Sequence, residues 1–308
     1  MWNAEKPYLY KLVFEYEDEI IVQKVGFVTY KIGDNNEFLV NGVEVKLKGV
    51  NHHDTHPENG WCMTDEEQLV TPFKLSTMRA PTSNERNICK KWYWYNTWEA
   101  ENFDRLFNKI YDCKFKDGVI TVSGSISGVS RSPYFKYTLE YCVCDDGRII
   151  VTLDEKIKEN CVWLPHLGFE FELKDNESGF KYYGMGPMEN YCDMHHGSMS
   201  GMYESNPDNE YVNYIVPQEH GNHIKTKLLN FENGLYFESI DEMDINVSSY
   251  SSEMLMNAKH IHELKKDGNI HVRIDYKNSG IGSASCGPEL IEKYRLSEKD
   301  IHFGFIIR

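Results

Sequence analysis

Apolar and polar residues alternate along most of this chain, which is the pattern of β-strands with one buried face. Turn-forming pairs such as Asp117-Gly118 and Asn233-Gly234 separate the strand-like runs. The runs span residues 8–16, 19–25, 119–126, 134–143, 148–153, 224–231, 235–240 and 270–276. The pattern therefore predicts an all-β fold, with antiparallel sheets packed as a sandwich.

Helical patterns are few. The best candidate spans residues 90–108, where Trp92, Trp98 and Phe103 are spaced for one face of a helix. A second, short helix is predicted over residues 252–258. With so little helix between the strands, parallel βαβ units are excluded over most of the chain.

The pattern changes near residue 67. Residues 34–51 predict a hairpin that turns at Asn41-Gly42. Residues 64–67 (TDEE) are typical of the cap and first turn of a helix, but no helical pattern follows them. A strand followed by an interrupted helix indicates the first unit of an α/β barrel that has been cut short.

Charge and composition argue against several classes of partner and location. A formal charge of -15 in 308 residues repels nucleic acid and anionic membranes, so we expect neither as a partner. No apolar run approaches the roughly 20 residues of a membrane span, and the first residues lack a signal peptide's apolar core. The 8 cysteines include no CxxC pair, which favours reduced, buried thiols and a cytoplasmic protein.

Two segments near the N-terminus resemble a known family. Residues 2–10 (WNAEKPYLY) are similar to the closing strands of the immunoglobulin-like domain in family 2 glycoside hydrolases. Residues 49–57 (GVNHHDTHP) resemble the opening of the catalytic barrel in the β-galactosidases of that family.

Four later motifs follow in the order of the same family. They are residues 79–85 (RAPTSNE), 184–191 (GMGPMENY), 214–221 (YIVPQEHG) and 280–288 (GIGSASCGP). The resemblance implies that they belong to the C-terminal supersandwich of a β-galactosidase, an antiparallel fold related to the galactose mutarotases.

The resemblance also implies three regions. Residues 1–33 are expected to be a remnant of the immunoglobulin-like domain, and residues 34–67 a remnant of the first barrel strand. Residues 68–308 are expected to form the supersandwich. Most of the barrel would then be missing at the junction of Glu67 and Gln68.

The expected chemistry depends on that missing part. The intact family hydrolyses terminal β-D-galactosides such as lactose, and a retaining mechanism needs two carboxyl groups about 5–5.5 Å apart. In the family both are glutamates on later barrel strands, and the Mg²⁺ ligands lie in the same region. We therefore expect no catalytic residue, no metal site and no cofactor in this chain.

The resemblance implies a few pocket-wall residues that bind substrate. Asn51, His53, Asp54 and His56 match the first barrel strand, whose C-terminal end faces the active site in such barrels. Cys286 lies where a loop of the sandwich reaches the sugar pocket in the family. A metal site at the histidine-rich strand end is not favoured, because no second ligand set follows at a typical spacing.

The remaining histidine pairs are interpreted as structural. His220 and His223 form an HxxH sequence, but no helical pattern aligns them, so we expect loop histidines. His195-His196 and the pair His260 and His262 receive the same interpretation.

Three hypotheses remain open. The favoured one is a β-galactosidase family protein that lacks the catalytic glutamates and is inactive alone. In the second, the sandwich acts like a small subunit and complements a barrel-bearing chain, or it forms a homo-oligomer. In the third, the chain is a mutarotase-like or lectin-like protein whose sandwich binds a β-galactoside sugar by itself. A shift of melting temperature with galactose or lactose would distinguish it.

Overall fold

The computed structural model describes residues 10–16, 19–25, 29–33, 38–44, 71–93, 99–174, 179–282 and 286–308. The chain divides into two compact units, Met1–His53 and Asp54–Arg308.

In its described residues, the first unit contains five short strands. They are β1 Tyr10–Tyr16, β2 Glu19–Val25, β3 Tyr30–Ile32, β4 Phe38–Val40 and β5 Val43–Glu44. Strands β1 and β2 form one antiparallel pair, and β3, β4 and β5 form a separate sheet. The predicted turn at Asn41-Gly42 is confirmed, because both residues adopt the positive φ angles, 52° and 82°, that a two-residue hairpin loop requires.

The second unit is built on twelve strands that form a single branched antiparallel sheet. They are β6 Thr71–Ser76, β7 Leu106–Lys116, β8 Val119–Gly128, β9 Phe135–Val143, β10 Ile149–Ile157, β11 His166–Lys174, β12 Phe180–Gly186, β13 Met199–Ser205, β14 Asn222–Phe231, β15 Tyr236–Ser248, β16 Asn269–Asn278 and β17 Asp300–Ile307. The main path runs β13-β12-β14-β15-β17-β10-β9-β8-β7, and a branch runs from β15 through β16 and β11 to β6.

Strand β15 joins the two branches. Its first residues, Phe237–Ser239, pair with β17, and its last residues, Asp244–Ser248, pair with β16. Aromatic side chains of the two branches then meet, with the ring of Phe169 on β11 centred 5.4 Å from that of Phe305 on β17. The core lies between these branches, and the predicted all-β antiparallel sandwich is confirmed.

The predicted helix over residues 90–108 is wrong. Helix α1 covers only Cys89–Trp92, the backbone turns at Asn102 with a φ of 61°, and β7 begins at Leu106. Trp92 and Phe103 are fully buried in the core of the sandwich. Their spacing therefore reflects packing against the sheets and not one face of a helix; residues 94–98 lie outside the described residues.

The second predicted helix is confirmed as α2, Ser252–Asn257. Its cap is Ser251, whose hydroxyl oxygen accepts a hydrogen bond from the backbone N–H of Met254 at 3.1 Å. Among the described residues, no helix is both long and apolar enough to cross a membrane.

Candidate functional site

One of the five predicted pocket-wall residues, Cys286, lies in the part of the chain that the structure describes. Asn51, His53, Asp54 and His56 lie outside the described residues, so their role stays a prediction. Cys286 is described and its thiol is free and exposed. The expectation of buried thiols is therefore wrong for Cys286, and also for Cys113, which is exposed as well.

The backbone that leads towards Cys286 is held by Asp193. One carboxylate oxygen of Asp193 accepts a hydrogen bond from the N–H of Ile281 at 3.1 Å, and the other accepts one from Gly282 at 2.7 Å. A Cβ atom on Gly280 would lie 2.5 Å from Cγ of Asp193, and one on Gly282 would lie 2.7 Å from its Oδ2. Only glycine leaves room for this close approach.

Arg79 supports the same loop from inside the fold. Its guanidinium is fully buried and donates to the carbonyl oxygens of Ser279 at 2.7 Å and Gly280 at 3.3 Å. It also forms an ion pair with Glu85. The second oxygen of Glu85 accepts a hydrogen bond from the N–H of Thr82 at 2.8 Å. The first and last of the four motifs therefore form one structural unit.

The charge on Arg79 is permanent. Burial by itself would lower the pKa of the guanidinium, but the attraction of Glu85 and Glu219 outweighs it and the pKa is raised above its usual range. A buried charge is tolerated when it is paired and its hydrogen bonds are satisfied. The ion pair with Glu85 supplies the counter-charge, while Nε of Arg79 has no hydrogen-bond partner among the described residues.

The two central motifs join the same end of the sandwich. Glu189 accepts hydrogen bonds from the hydroxyl of Tyr214 and from the N–H of Gly221, the latter at 2.9 Å. The N–H of Glu219 donates to the carbonyl of Ala80 at 3.3 Å. All four motifs, which are distant in sequence, therefore meet in one place, which we call the motif cluster.

A second buried arginine lies beneath the motif cluster. Arg273 on β16 forms a two-pronged ion pair with Glu219, with Nη1 to Oε2 at 3.0 Å. Its Nε lies 3.5 Å from Oδ2 of Asp275, and Oδ1 of Asp275 lies 3.1 Å from Nδ1 of His166. Burial would raise the pKa of Asp275, but His166 and Arg273 outweigh this and lower it, so the carboxylate stays charged.

The prediction that His220 and His223 are loop residues is wrong for His223. His223 lies on β14, is buried, and its Nε2 is 2.7 Å from Oε2 of Glu210. Its other ring nitrogen is 3.1 Å from the hydroxyl of Tyr182. His220 lies in the loop before β14, where its ring packs edge-on against Tyr211. The two rings have separate partners, so the HxxH sequence does not form a metal site.

Among the described residues, one cleft opens beside the motif cluster and another opens among strands β6, β7, β8, β9 and β11. The first lies against Glu85, Trp163, Gly280 and Glu289 and has a volume of about 20 Å³, which holds one water molecule and no sugar ring. The second has a volume of about 420 Å³, within the range of small-molecule pockets. It is lined by Phe73, Lys74, Leu75, Leu106, Asn108, Ile126, Tyr137, Leu139 and Phe169.

The described residues do not fit the Mg²⁺ of the intact family. Within them, two groups bring three potential metal-ligand side chains together: His260 with His262 and Glu263, and Glu172 with Asp267 and His271. Both contain imidazole, whereas Mg²⁺ prefers an octahedral set of oxygen ligands. We therefore derive no step through Mg²⁺.

Comparison with known proteins identifies the family. The model of the β-galactosidase small chain matches residues 58–307. The chain belongs to this family. The prediction of a β-galactosidase relative is therefore confirmed, and the matched residues include all four motifs of the motif cluster.

Curated relatives are β-galactosidases. The enzyme of Actinobacillus pleuropneumoniae is 31% identical over 77% of this chain and 23% of its own length. That of Staphylococcus xylosus is 29% identical over 95% of this chain and 28% of its own length. The chain thus spans about a quarter of the length of these relatives.

Solved structures show a weaker likeness. Galactose 1-epimerase from Lactobacillus acidophilus has a TM-score of 0.34 at 9% identity over 98% of each chain. An aldose 1-epimerase homologue from Escherichia coli has a TM-score of 0.34 at 10% identity over 65% of this chain and 67% of its own.

Proposed function

We propose that this chain is the sandwich region of a family 2 β-galactosidase, that it lacks the catalytic carboxylate pair, and that it is inactive alone towards terminal β-D-galactosides. One observation carries the proposal. The carboxylates of the motif cluster are all committed to structural donors: Glu85 to Arg79, Glu189 to Tyr214 and Gly221, Asp193 to Ile281 and Gly282, and Glu219 to Arg273. A retaining mechanism needs one carboxylate free to attack and another free to donate a proton.

The test is release of nitrophenol from nitrophenyl β-galactoside by the purified chain, with and without Mg²⁺. We expect no turnover above that of a mock purification from cells without the gene. Turnover that co-elutes with the chain and persists after a second purification step would overturn the proposal.

The sandwich contributes to hydrolysis by docking onto a chain that carries the barrel. Apolar side chains of the central motifs support this, because Met188, Ile215 and Val216 are exposed by 62%, 91% and 52%. Their backbone is fixed by the hydrogen bonds of Glu189 with Tyr214 and Gly221. Exposed apolar residues on a fixed backbone favour a protein partner over a sugar.

Complementation tests this docking. The Actinobacillus pleuropneumoniae β-galactosidase, truncated to remove the region that this chain matches, is mixed with the purified chain, and galactosidase activity is measured. We expect activity to appear with the wild-type chain and to be lost with Ile215→Asp. The matched control is Val143→Asp, which changes an exposed valine at the end of β9. No gain of activity with the wild-type chain would count against docking.

The first 67 residues also derive from a β-galactosidase, as remnants of the immunoglobulin-like domain and of the first barrel strand. The Staphylococcus xylosus relative supports this, since its match extends over 95% of the chain and only 28% of the relative. Sequencing the gene and its transcript across the codons of Glu67 and Gln68 tests the deletion. A long intervening coding segment would contradict it.

A second candidate function is sugar binding by the sandwich itself. The cavity of about 420 Å³ favours it, because its apolar walls carry Asn108, Lys74 and Tyr137 as polar groups. The hydroxyl of Tyr137 donates to the side-chain oxygen of Asn108 at 2.8 Å. A rise in melting temperature with galactose or lactose that disappears in Asn108→Ala would support this function, and no rise in the wild type would exclude it.

A further inference from the structure

The segment between α2 and β16 carries two histidines and a glutamate within four residues. A 3₁₀ turn, Ile261–Glu263, follows His260. Side chains three residues apart lie above one another in such a turn, so His260 and Glu263 share a face. His262 lies between them in sequence, and all three side chains are exposed.

The three side chains converge. Nδ1 of His260 lies 2.8 Å from Oε1 of Glu263. The rings of His260 and His262 are stacked, with centroids 5.3 Å apart and planes at 19°. One ligand atom from each of the three residues lies within 4.8 Å of the ligand atoms of the other two.

The carboxylate is also positioned by the backbone. Oε2 of Glu263 accepts a hydrogen bond from the N–H of Lys259 at 2.8 Å, which leaves Oε1 directed at His260. An anionic carboxylate beside two imidazoles is a donor set suited to zinc.

We propose that His260, His262 and Glu263 form a binding site for a borderline-soft metal dication, with Zn²⁺ as the best fit. Zinc bonds of about 2.0–2.2 Å require ligand atoms no more than about 4 Å apart, so the three side chains need to close only slightly. Three ligands leave coordination positions open to water. Because the ligands come from four consecutive residues, little chain entropy is lost on closing the site.

The second group, around His271, is a weaker candidate. Its ring nitrogens already face carboxylates on both sides, with Nδ1 3.6 Å from Glu172 and Nε2 3.3 Å from Asp267. This arrangement is that of a histidine in two ion pairs. It also offers one imidazole where the first group offers two, and imidazole is the preferred ligand for zinc among these groups.

Isothermal titration of the full chain with ZnCl₂, in a buffer that does not chelate zinc, tests the site. We expect one site per chain, with affinity reduced by at least about tenfold in His260→Ala and in His262→Ala. The matched control is the double variant His195→Ala, His196→Ala. It removes another stacked histidine pair, with centroids 4.8 Å apart, and should bind like the wild type.

Cobalt provides the second measurement, because exposed thiols such as Cys113 and Cys286 also bind zinc. The Co²⁺ complex of the wild type should lack the thiolate charge-transfer absorption, and its visible spectrum should disappear in His262→Ala. Unchanged affinity in both single variants would overturn the proposal. So would loss of affinity in the control, loss only in His271→Ala, or a thiolate absorption band.

Discussion

The carboxylate of Asp193 binds the backbone of Gly282, with Oδ2 of the aspartate 2.7 Å from the glycine nitrogen. The aspartate follows the second family motif and the glycine lies in the fourth, 89 residues later. The loop that leads towards Cys286 is therefore positioned by a side chain from a distant part of the chain.

Replacing Asp193 with alanine should loosen the loop without unfolding the sandwich. Two hydrogen bonds to a charged acceptor are lost, which costs about 1–3 kcal/mol locally. Hydrogen exchange at the amides of Ile281 and Gly282 should accelerate, while exchange in β11 and β16 stays unchanged. Asp146→Ala, which removes an exposed carboxylate bound to Arg148, is the control and should leave the loop amides protected. Unchanged exchange at both loop amides in Asp193→Ala would contradict the anchoring role.

Removing one partner of the buried ion pair between Arg273 and Glu219 should lower the free energy of unfolding far more than Asp193→Ala does. The change Glu219→Gln leaves the buried guanidinium without its principal counter-charge, and we expect a loss of about 3–5 kcal/mol in the free energy of unfolding. Urea unfolding followed by fluorescence measures this. The control is Glu298→Gln in the exposed pair with Lys277, where the loss should stay below about 1 kcal/mol. Similar losses in both variants would show that burial does not govern the strength of these pairs.

Local pattern predicted much of this fold. The hairpin of β9 and β10 follows from alternating residues on either side of Asp145-Asp146-Gly147, and the structure pairs Phe135–Val143 with Ile149–Ile157. The prediction of a helix over residues 90–108 was wrong because Trp92, at the end of α1, and Phe103, in an irregular segment, both face the core. The spacing of apolar residues alone does not distinguish a helix from an irregular segment whose side chains face the core, because tertiary packing overrides local preference.

The motif cluster was predictable only in part. Motif resemblance singled out Arg79, Glu85 and Glu219, but nothing in the sequence shows that Glu219 pairs with Arg273, which lies 54 residues later on β16. Asp193 had a weak signal, because it lies two residues after the second motif. Long-range polar contacts of this kind depend on sheet topology, which alternation along single strands does not encode.

The pH dependence of stability should depend on Glu155. This side chain on β10 is buried, and neither carboxyl oxygen has a hydrogen-bond partner among the described residues. Burial raises its pKa to about 8. The folded state therefore holds a proton that the unfolded state releases at about pH 4.3, and stability falls as the pH rises from about 4.3 to about 8.

The change Glu155→Gln should remove that part of the pH dependence. We expect the variant to be more stable than the wild type at pH 8.5 by roughly 2–5 kcal/mol, and similar to it near pH 5. Burial also raises the pKa of Asp244 to about 7. Asp244 therefore adds a further fall in stability with rising pH, and this fall is the same in the wild type and the variant. Urea unfolding across this range is the measurement. Asp154→Asn, at the neighbouring exposed position, should keep the wild-type slope, and an unchanged slope in Glu155→Gln would contradict the assignment.

The close approach of Gly280 to Asp193 predicts a coupled pair of mutations. In Gly280→Ala the new Cβ would lie 2.5 Å from Cγ of Asp193, so the aspartate or the loop has to move, and the loop amides should exchange faster. Asp193→Ala removes that atom. In this background, the loss in free energy of unfolding caused by Gly280→Ala should be smaller than in the wild type by roughly 1 kcal/mol or more. Gly287→Ala is the control, because its Cβ would meet nothing within 4 Å. Equal costs of Gly280→Ala in both backgrounds would show that the glycine serves backbone geometry and not the approach of the carboxylate.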